Sequence, residues 1–393
     1  MYKILTLNNI SVAGLDRLPR ASYEVASEIT HPDAILLRSF RMHDMEIPTT
    51  VQAIGRAGAG VNNIPVQRMT DKGVPVFNAP GANSNAVKEL VLAGMLIAAR
   101  NISQAWGFAR ELNGEDDEIN RAVEKGKKQF VGFELPGRTL GVIGLGAIGV
   151  RVANAARALG MNVIGYDPTI TVQSAWQLAA EVEQAISVDD LLSRSDFVTF
   201  HVPLVDSTRN MITAERIRLM KPGAVLLNFA RFGIIDDQAV LEALDSNRLY
   251  AYVSDFPSNL LNDHERCITL PHLGASTVEA EENCAIMVAE QVRDYLENGN
   301  IKNAVNFTRI KLPRNGGHRI AVVNSNVPNM VGQISTDVAE AGLNIIDMLN
   351  KSQGDIAVTL LDVDQQPDQA TLDQIRVIEG VLSVRYLGCN GGN

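Results

Sequence analysis

A glycine-rich turn near the middle of the chain, between a strand pattern and a helix pattern, constrains the fold more than any other feature. The run TLGVIG predicts a buried strand and AIGVRVANAARALG a helix, and Gly144, Gly146 and Gly149 lie at their junction. Gly144 permits a tight turn, Gly146 lets the backbone approach a pyrophosphate, and Gly149 lets the helix pack closely on the strand. The free N–H groups at the start of the helix attract phosphates. This order of elements predicts a dinucleotide-binding α/β domain.

Asp167 ends the next predicted strand, NVIGY, where its carboxylate can accept hydrogen bonds from the adenosine ribose. A carboxylate there repels a 2′-phosphate, so the pattern favours NAD over NADP. In the alternative interpretation, Asp167 only caps a turn with Pro168.

Two series of strands alternate with helices and predict parallel sheets joined by crossovers. The first comprises YKILTLN, AILLRS, VQAIGRAG and VPVFNA, and ends in the helix NSNAVKELVLAGMLIAAR. The second comprises TLGVIG, NVIGYD, DFVTFHV, AVLLNFA, LYAYVSD and CITLPH, and ends in a helix from Thr277 to Gly299. Residues 101 to 135, between the two series, are charged and weakly periodic, which indicates an exposed arm.

The Pro- and Gly-rich run KLPRNGGH predicts an interdomain linker. Strand, helix, strand, strand, helix and strand follow it, which is the split βαβ order of a small α+β module. We therefore expect three domains: residues 1–100 with 278–311, residues 101–277, and residues 318–388.

Composition excludes several classes of protein. The net charge of −10 over 393 residues argues against a nucleic-acid binder. No apolar run reaches the length of a membrane span, and no secretory signal is evident at the start. Cys267, Cys284 and Cys389 have neither metal-type spacing nor a paired framework, so we expect a reducing cytoplasm and no metal.

Three reactive side chains follow strands of the second series. Arg231 follows AVLLNFA, Asp255 ends AYVSD, and His272 follows CITL. The carboxyl ends of parallel strands line the ligand crevice of a doubly wound sheet, so these side chains should converge. Arginine matches a carboxylate with two parallel hydrogen bonds, and histidine can exchange a proton near neutral pH. Taken singly, each would more often be structural.

Four motifs in this order resemble the D-isomer-specific 2-hydroxyacid dehydrogenases, and most closely the branch that oxidises D-3-phosphoglycerate. They are GRAGAGVNNI…GVPVFNAPGANSNAVKELV, VIGLGAIG, NFARFGIIDD and LPHLGAST, and they extend over nearly the whole chain. The resemblance implies a Rossmann-type NAD domain inserted in a discontinuous, flavodoxin-like substrate domain, with the active cleft at their junction. It also implies that the C-terminal module is a ferredoxin-like ACT domain, a regulatory fold.

The resemblance assigns roles to residues of this chain. Arg231 orients the substrate carboxylate and His272 is the acid/base, while Asp255 bonds the nicotinamide carboxamide. The positions matching cofactor contacts are Gly144, Gly146, Ala147, Ile148, Gly149, Asp167, Phe229, Ala230, Arg231, Asp255, His272 and Gly274. The candidates for substrate binding are Arg38, Ser39, Arg56, Gly58, Ala59, Gly60, Lys88 and Arg231. Lys127 and Lys128 of the arm either reach a partner's site or are solvated.

Three positions depart from the family pattern, one in the dehydrogenase part and two in the C-terminal module. Where the family places a glutamate beside the histidine, this chain has Asn259, with Asp263 or Glu265 as possible substitutes. In the ACT-like module, Asn324 and Asn329 replace a histidine and a glycine of serine-inhibited relatives, while Asn326, Pro328 and Asn344 are retained. An amino-acid effector at Asn324, Asn326 and Asn344 and a purely oligomer-forming module are both open.

The sequence therefore predicts NAD-dependent oxidation of D-3-phosphoglycerate to 3-phosphooxypyruvate, the first step of L-serine synthesis. Another D-2-hydroxyacid dehydrogenase, acting on glycerate, hydroxypyruvate or 2-oxoglutarate, is the nearest alternative. A non-catalytic NAD-sensing protein is the alternative from another class. We expect a homodimer or homotetramer, because the charged arm has no core of its own.

Overall fold

The computed structural model describes residues 1–388, so Cys389 lies outside the described residues. The helices are α1 (Val12–Leu15), α2 (Val66–Asp71), α3 (Ser84–Ala99), α4 (Ile102–Glu111), α5 (Asp116–Gly126), α6 (Gly149–Ala158), α7 (Val172–Gln177), α8 (Val188–Arg194), α9 (Ala214–Leu219), α10 (Asp237–Asp245), α11 (Val278–Asn298), α12 (Met330–Glu340) and α13 (Gln369–Val377). The chain forms two compact units, Ser84–Thr277 and the remainder on either side of it.

The boundary between the units differs from the expected one at residue 100. Helix α3 belongs to the second unit, because its apolar face, including Val87, Val91 and Met95, packs in the same core as Leu140 and Val142. Residues 84–100 are therefore removed from the segment that the sequence placed with the N-terminal domain.

The first unit is built on a five-stranded parallel sheet. Its strands are β1 (Tyr2–Leu7), β2 (Tyr23–Ala26), β3 (Ala34–Leu37), β4 (Ala53–Arg56) and β5 (Val76–Phe77). Their spatial order, β2-β1-β3-β4-β5, is flavodoxin-like, as the family resemblance implied, and it includes β2, a strand that the sequence analysis did not identify. Helix α11 crosses this sheet at Gly55, where a Cβ would collide with Val288 and Val292 of the helix. The glycine in β4 thus permits the close contact that fixes α11 on the sheet.

The second unit has a seven-stranded parallel sheet with two covered faces. Its strands are β6 (Thr139–Ile143), β7 (Asn162–Tyr166), β8 (Glu183–Gln184), β9 (Phe197–Phe200), β10 (Ala224–Asn228), β11 (Leu249–Ser254) and β12 (Cys267–Thr269). The order β12-β11-β10-β9-β6-β7-β8 reverses direction between β6 and β9. Ligands of doubly wound sheets bind at this switch point, outside the carboxyl ends of the strands.

The last part of the first unit is an antiparallel sheet of β13 (His318–Ser325), β14 (Ile345–Gln353), β15 (Ile356–Val363) and β16 (Val381–Leu387). The order β14-β15-β13-β16 with two crossing helices is the predicted ferredoxin-like arrangement. One face packs on α12 and α13 through Ile334 and Ile375. The other face shares a core with α11, so this module is anchored to the parallel sheet's helix layer rather than tethered by a linker alone.

No helix among residues 1–388 is both long enough and apolar enough to cross a bilayer. Cys267 and Cys284 are buried and unpaired.

Candidate active site

The glycine turn after β6 has the geometry that a pyrophosphate requires. Gly144 has a φ of +91°, and its amide donates to the carbonyl of Tyr166 at 2.9 Å. A Cβ on Gly149 would collide with the carbonyl oxygen of Gly144, whereas a Cβ on Gly146 would meet no atom within 4 Å. Gly144 and Gly149 are thus needed to form the turn, and Gly146 leaves open space in front of it. Ala147 and Ile148 complete the turn, with Ile148 at the cap of α6.

Asp167 supports this turn from the end of β7. One carboxylate oxygen accepts a hydrogen bond from the amide of Leu145 at 2.9 Å, and the other accepts from the amide of Thr169, also at 2.9 Å. The turn-capping interpretation is therefore correct as a description of these bonds, but Asp167 also ties its own turn to the glycine turn. Next to it lies a cavity of about 190 Å³ whose apolar lining suits an adenine ring, formed by Leu145, Ile170, Leu178 and Val182 among others.

Arg231 projects from the loop after β10. The Asn228 side chain fixes this loop, donating to the Arg231 carbonyl at 3.0 Å and accepting from the Ala230 amide at 3.2 Å. Phe229 and Ala230 are buried, whereas Arg231 is exposed. Nη1 of Arg231 donates a hydrogen bond to the carbonyl of Ala230 at 2.6 Å. The loop therefore exposes the Arg231 guanidinium, while the residues before it, Phe229 and Ala230, are buried and hold the loop in place.

His272 occupies an unusual backbone conformation in the loop after β12. Its φ is +45°, a left-handed value that is uncommon for residues other than glycine. Its amide donates to the carbonyl of Asp255 at 3.0 Å, and its ring lies 5.0 Å from the ring of Phe256. Strained backbone is common at functional sites, where the surroundings hold a side chain in a required direction.

Asp255 connects these two loops. It is 1% exposed, and one carboxylate oxygen accepts a hydrogen bond from the amide of Gly274 at 3.3 Å. The other oxygen is buried without a hydrogen-bond partner among the described residues. Burial raises the pKa of Asp255, and the nearby charges of His272 and Arg231 together with the Gly274 bond only partly oppose this. The three reactive side chains predicted from the sequence thus share one edge of the sheet.

These features fit a nicotinamide dinucleotide. The free oxygen of Asp255 can accept a hydrogen bond from a carboxamide NH₂ group, which would remove the penalty for a buried unpaired oxygen. The open space at Gly146 and the exposed N–H groups of α6 suit a pyrophosphate. The apolar cavity beside Asp167 completes the fit at the adenosine end.

No carboxylate forms an ion pair with His272 in residues 1–388. Asn259 is exposed, and so are Asp263 and Glu265, the two acids that the sequence offered as substitutes. Burial raises the pKa of the Asp255 carboxyl group, and the charge of His272 partly opposes this rise.

Two of the predicted substrate arginines lie together in the first unit. Arg38 follows β3, and Arg56 ends β4, the strand beside it. The Nε of Arg56 donates to the carbonyl of Arg38 at 3.0 Å. A Cβ on Gly58 would collide with Nη1 of Arg56, so the glycine provides room for the guanidinium. Ala59 and Gly60 continue this turn, and the carbonyl of Ala59 is held by Asn78 at 2.6 Å.

The other predicted substrate contacts have local partners or are exposed. Ser39 is exposed beside Arg38. Lys88 lies in the second unit, where it bonds Asn85 at 2.7 Å and pairs with Glu89 at 3.6 Å. Lys127 pairs with Glu124 at 2.5 Å, while Lys128 is exposed.

The three asparagines proposed for an effector differ in environment. Asn324 is 1% exposed, and its side-chain oxygen is buried without a partner among the described residues. Asn326 donates to the carbonyl of Gly354 at 3.0 Å. Asn344 is exposed and bonds Asp364 through its backbone.

Sequence reasoning missed two residues near these groups. His201 follows β9 and bonds Thr199 at 3.2 Å, with its second ring nitrogen buried and unpaired among the described residues, and burial lowers its pKa to about 3. Glu281, in the first turn of α11, forms an ion pair with Arg38 at 2.7 Å. The acidic run EAEEN contained the only signal for Glu281, and it reads equally well as a solvated helix start.

The glycine turn and the three reactive residues fall within the part of the chain that matches a known family model. Residues 92–274 match the model described as D-isomer specific 2-hydroxyacid dehydrogenase, NAD binding domain.

Similar proteins extend the match beyond this domain. The chain is 38% identical over 335 residues to a D-3-phosphoglycerate dehydrogenase of Methanocaldococcus jannaschii, covering 83% of this chain but only 61% of the relative. It is 33% identical over 348 residues to the D-3-phosphoglycerate dehydrogenase of Escherichia coli K12, covering 85% of this chain and 81% of the relative. A solved NAD⁺-bound 3-phosphoglycerate dehydrogenase of Entamoeba histolytica matches with a TM-score of 0.61 and 25% identity, over 77% of this chain and 98% of that one.

Proposed function

Because this chain belongs to the D-isomer-specific 2-hydroxyacid dehydrogenase family, we propose that it oxidises D-3-phosphoglycerate to 3-phosphooxypyruvate with NAD, the first step of L-serine synthesis. The two relatives described above, at 38% and 33% identity, are named for this substrate, which supports it over glycerate or 2-oxoglutarate. We assign NAD binding to Ser84–Thr277 and substrate binding to residues 1–83 and 278–311.

The roles of the second unit follow from its loops. Arg231 holds the substrate carboxylate and stabilises negative charge on the C2 oxygen as the carbonyl forms. His272 accepts the proton of the C2 hydroxyl. A bound NAD would supply the acceptor for the hydride that leaves C2. Asp255 orients the carboxamide, and its proximity to both His272 and Arg231 keeps the three groups in one electrostatic network.

The convergence of Arg231, Asp255 and His272 at the carboxyl ends of β10, β11 and β12 is the observation that carries the proposal. A protein that only senses NAD needs no exposed imidazole on a left-handed backbone at the same sheet edge as an arginine. In the first unit, Arg38 and Arg56 supply positive charge for the substrate's phosphate.

The test is reduction of 2-oxo acids by the purified protein, followed by the absorbance of NADH. We expect a higher kcat/KM with 3-phosphooxypyruvate than with hydroxypyruvate or 2-oxoglutarate. His272→Gln should lower kcat by about 10²- to 10⁴-fold, the usual contribution of a general acid/base, without weakening NADH binding. A preference for hydroxypyruvate would favour the glycerate alternative, and no turnover of any acid would contradict the proposal.

The variants Gly146→Ala and Gly149→Ala together separate an effect on NADH binding from an effect on folding. The added methyl at Gly146 enters open space, so the protein should fold normally but bind NADH weakly. The methyl at Gly149 meets the carbonyl of Gly144 and should destabilise the fold itself. Equal NADH affinity in Gly146→Ala and wild type would place the pyrophosphate elsewhere.

The proposal extends to regulation and assembly in the cytoplasm. The unpaired oxygen of buried Asn324 supports an amino-acid effector at an ACT module of residues 318–388, with Asn326 and Asn344. Trp106 is 63% exposed on α4 and Val131 is 76% exposed, which supports burial of the arm in a homodimer or homotetramer. Calorimetry with L-serine tests the effector, and light scattering tests the assembly.

A further inference from the structure

Arg38, which the proposed function assigns to the substrate's phosphate, already forms an ion pair with Glu281. Nη1 of Arg38 lies 2.7 Å from the Glu281 carboxylate, and no other nitrogen of this guanidinium has a partner among residues 1–388. Arg38 therefore directs one of its three guanidinium nitrogens at a carboxylate of its own chain. The other two nitrogens, Nε and Nη2, can donate hydrogen bonds to an anion.

We propose that Glu281 is a specificity-determining residue, an internal counter-anion that sets how strongly Arg38 attracts the distal anion of the substrate. The inference rests on the proposed function for the identity of that anion, which is a phosphate monoester. Glu281 does not touch the reacting atoms, and it acts through Arg38.

The position of the pair explains why it can open. The side chains of Arg38 and Glu281 are 35% and 44% exposed, and exposed pairs of this kind stabilise a protein by only about 0.2–1 kcal/mol. A phosphate carries about −1.5 to −2 charge near neutral pH and offers three acceptor oxygens, so it competes well with one carboxylate. The pair is thus strong enough to weaken anion binding and too weak to prevent it.

The frame around the pair is rigid, so the competition is specific to Arg38. The carbonyl of Arg38 is held by Arg56 at 3.0 Å and by Asn63 at 3.2 Å. Glu281 stands on α11, which packs against β4 through Gly55. Cys284, one turn further along α11, is buried, and burial raises the pKa of its thiol, with the charges of Arg56 and Arg38 opposing the rise.

The local charge balance gives the direction of the effect. Arg38 and Arg56 carry positive charge at this edge of the first unit, and the Glu281 carboxylate offsets part of the charge of Arg38. Replacing Glu281 by glutamine removes the competing charge, and the amide oxygen can still accept a hydrogen bond from Arg38. Binding of a distal phosphate should then tighten, while substrates without a distal anion should be unaffected.

The experiment compares Glu281→Gln with wild type on 3-phosphooxypyruvate and on hydroxypyruvate, which differ by the phosphate alone. We expect KM for the phosphorylated acid to fall about two- to fivefold, the range of an exposed ion pair, with kcat and the KM for hydroxypyruvate unchanged. The difference should shrink in high salt, because surface charges are screened. An equal change for both acids, or a higher KM for the phosphorylated one, would overturn the proposal.

Glu279→Gln is the matched control, since Glu279 lies in the same first turn of α11, is exposed and has no ion pair among the described residues. It removes the same charge from the same helix end, so an effect equal to that of Glu281→Gln would point to a general field rather than to Arg38.

Inorganic phosphate separates this inference from the proposed function. The shift of Tm with phosphate concentration measures anion binding without turnover. We expect a larger shift in Glu281→Gln than in wild type and in Glu279→Gln. If neither acid is turned over, the proposed function fails, but the phosphate titration still tests the role of Glu281. Equal Tm shifts in all three proteins would refute that role.

Discussion

Two arginine–carboxylate pairs in the first unit have opposite surroundings. Arg319 and Asp362 join β13 to β15 with side chains that are 0% and 2% exposed, whereas Arg38 and Glu281 are 35% and 44% exposed. Arg319 makes two parallel bonds with its carboxylate, at 2.6 and 2.7 Å, and Arg38 makes one contact. The same chemical pair thus serves as a fixed joint in one place and as an available charge in the other.

The buried pair is complete because every donor of Arg319 is used. Its remaining N–H groups bond the carbonyls of Asn298 at 3.0 Å, Leu312 at 2.8 Å and Pro313 at 3.0 Å. These carbonyls belong to the end of α11 and to the segment that the sequence predicted as a linker. A fully satisfied guanidinium cannot bind a ligand, so its function is to hold the antiparallel module on α11.

Removing the buried arginine should have the largest effect. Arg319→Met leaves Asp362 and three carbonyls unpaired in the interior, so we expect the free energy of unfolding to fall by about 3–5 kcal/mol. Urea denaturation followed by circular dichroism measures it. Arg319→Met combined with Asp362→Leu should recover part of the loss, because the buried charge is gone. A loss below about 1 kcal/mol in the single variant would break the comparison.

The exposed arginine should show the reverse pattern. Arg38→Met removes an exposed pair, so the free energy of unfolding should change by less than about 1 kcal/mol. The KM for 3-phosphooxypyruvate should rise about ten- to a hundredfold, the range for losing a charge-assisted hydrogen bond, with little change for hydroxypyruvate. Steady-state kinetics beside the same urea curves give both numbers. Strong destabilisation with unchanged KM would make Arg38 structural, like Arg319.

Asp255 sharpens the comparison, because it is buried like Asp362 but keeps one oxygen unpaired among the described residues. Burial raises its pKa above the ordinary aspartate value of 3.8, so the folded protein binds more protons than the unfolded chain just above that pH. Its contribution to stability is therefore full at lower pH and is lost as pH rises through the raised pKa.

Asp255→Asn should remove this dependence. We expect the variant to gain stability over wild type near neutral pH, with the difference closing as the pH approaches 3.8. NADH affinity should fall about fivefold, because a charged hydrogen bond becomes a neutral one. Denaturation at two pH values and fluorescence titration of NADH measure these effects. Asp362→Asn is the contrasting variant and should destabilise at both pH values.

The sequence predicted most strands of both parallel sheets and the elements of the C-terminal module, because period and glycine placement are local properties. It missed β2 and β8, two edge strands with too few residues to show a period. It placed α3 in the wrong unit, since the apolar face of Val87, Val91 and Met95 does not reveal which sheet it covers. Only the folded structure shows that face against Leu140 and Val142.

The pairings of charges were beyond the sequence for the same reason. Arg319 follows the Gly-Gly of the expected linker and reads as one more basic residue there. Glu281 is one acid of several in EAEEN, and its arginine lies more than two hundred positions away. Arg231, Asp255 and His272 could be chosen beforehand because each follows a strand of one parallel sheet, and such positions share an edge by topology.

Asn259→Glu should have the smallest effect, because it would create an exposed ion pair with His272, comparable to the exposed pair of Arg38 and Glu281. Asn259 is exposed three residues beyond Phe256, whose ring lies 5.0 Å from that of His272. A carboxylate there would stabilise the protonated imidazole by about 0.2–1 kcal/mol, which moves the acidic limb of the pH–rate profile for oxidation up by about 0.1–0.7 pH units. Asn262→Glu, exposed in the same loop, is the matched control. Superimposable profiles for wild type and Asn259→Glu would mean that residue 259 does not act on His272.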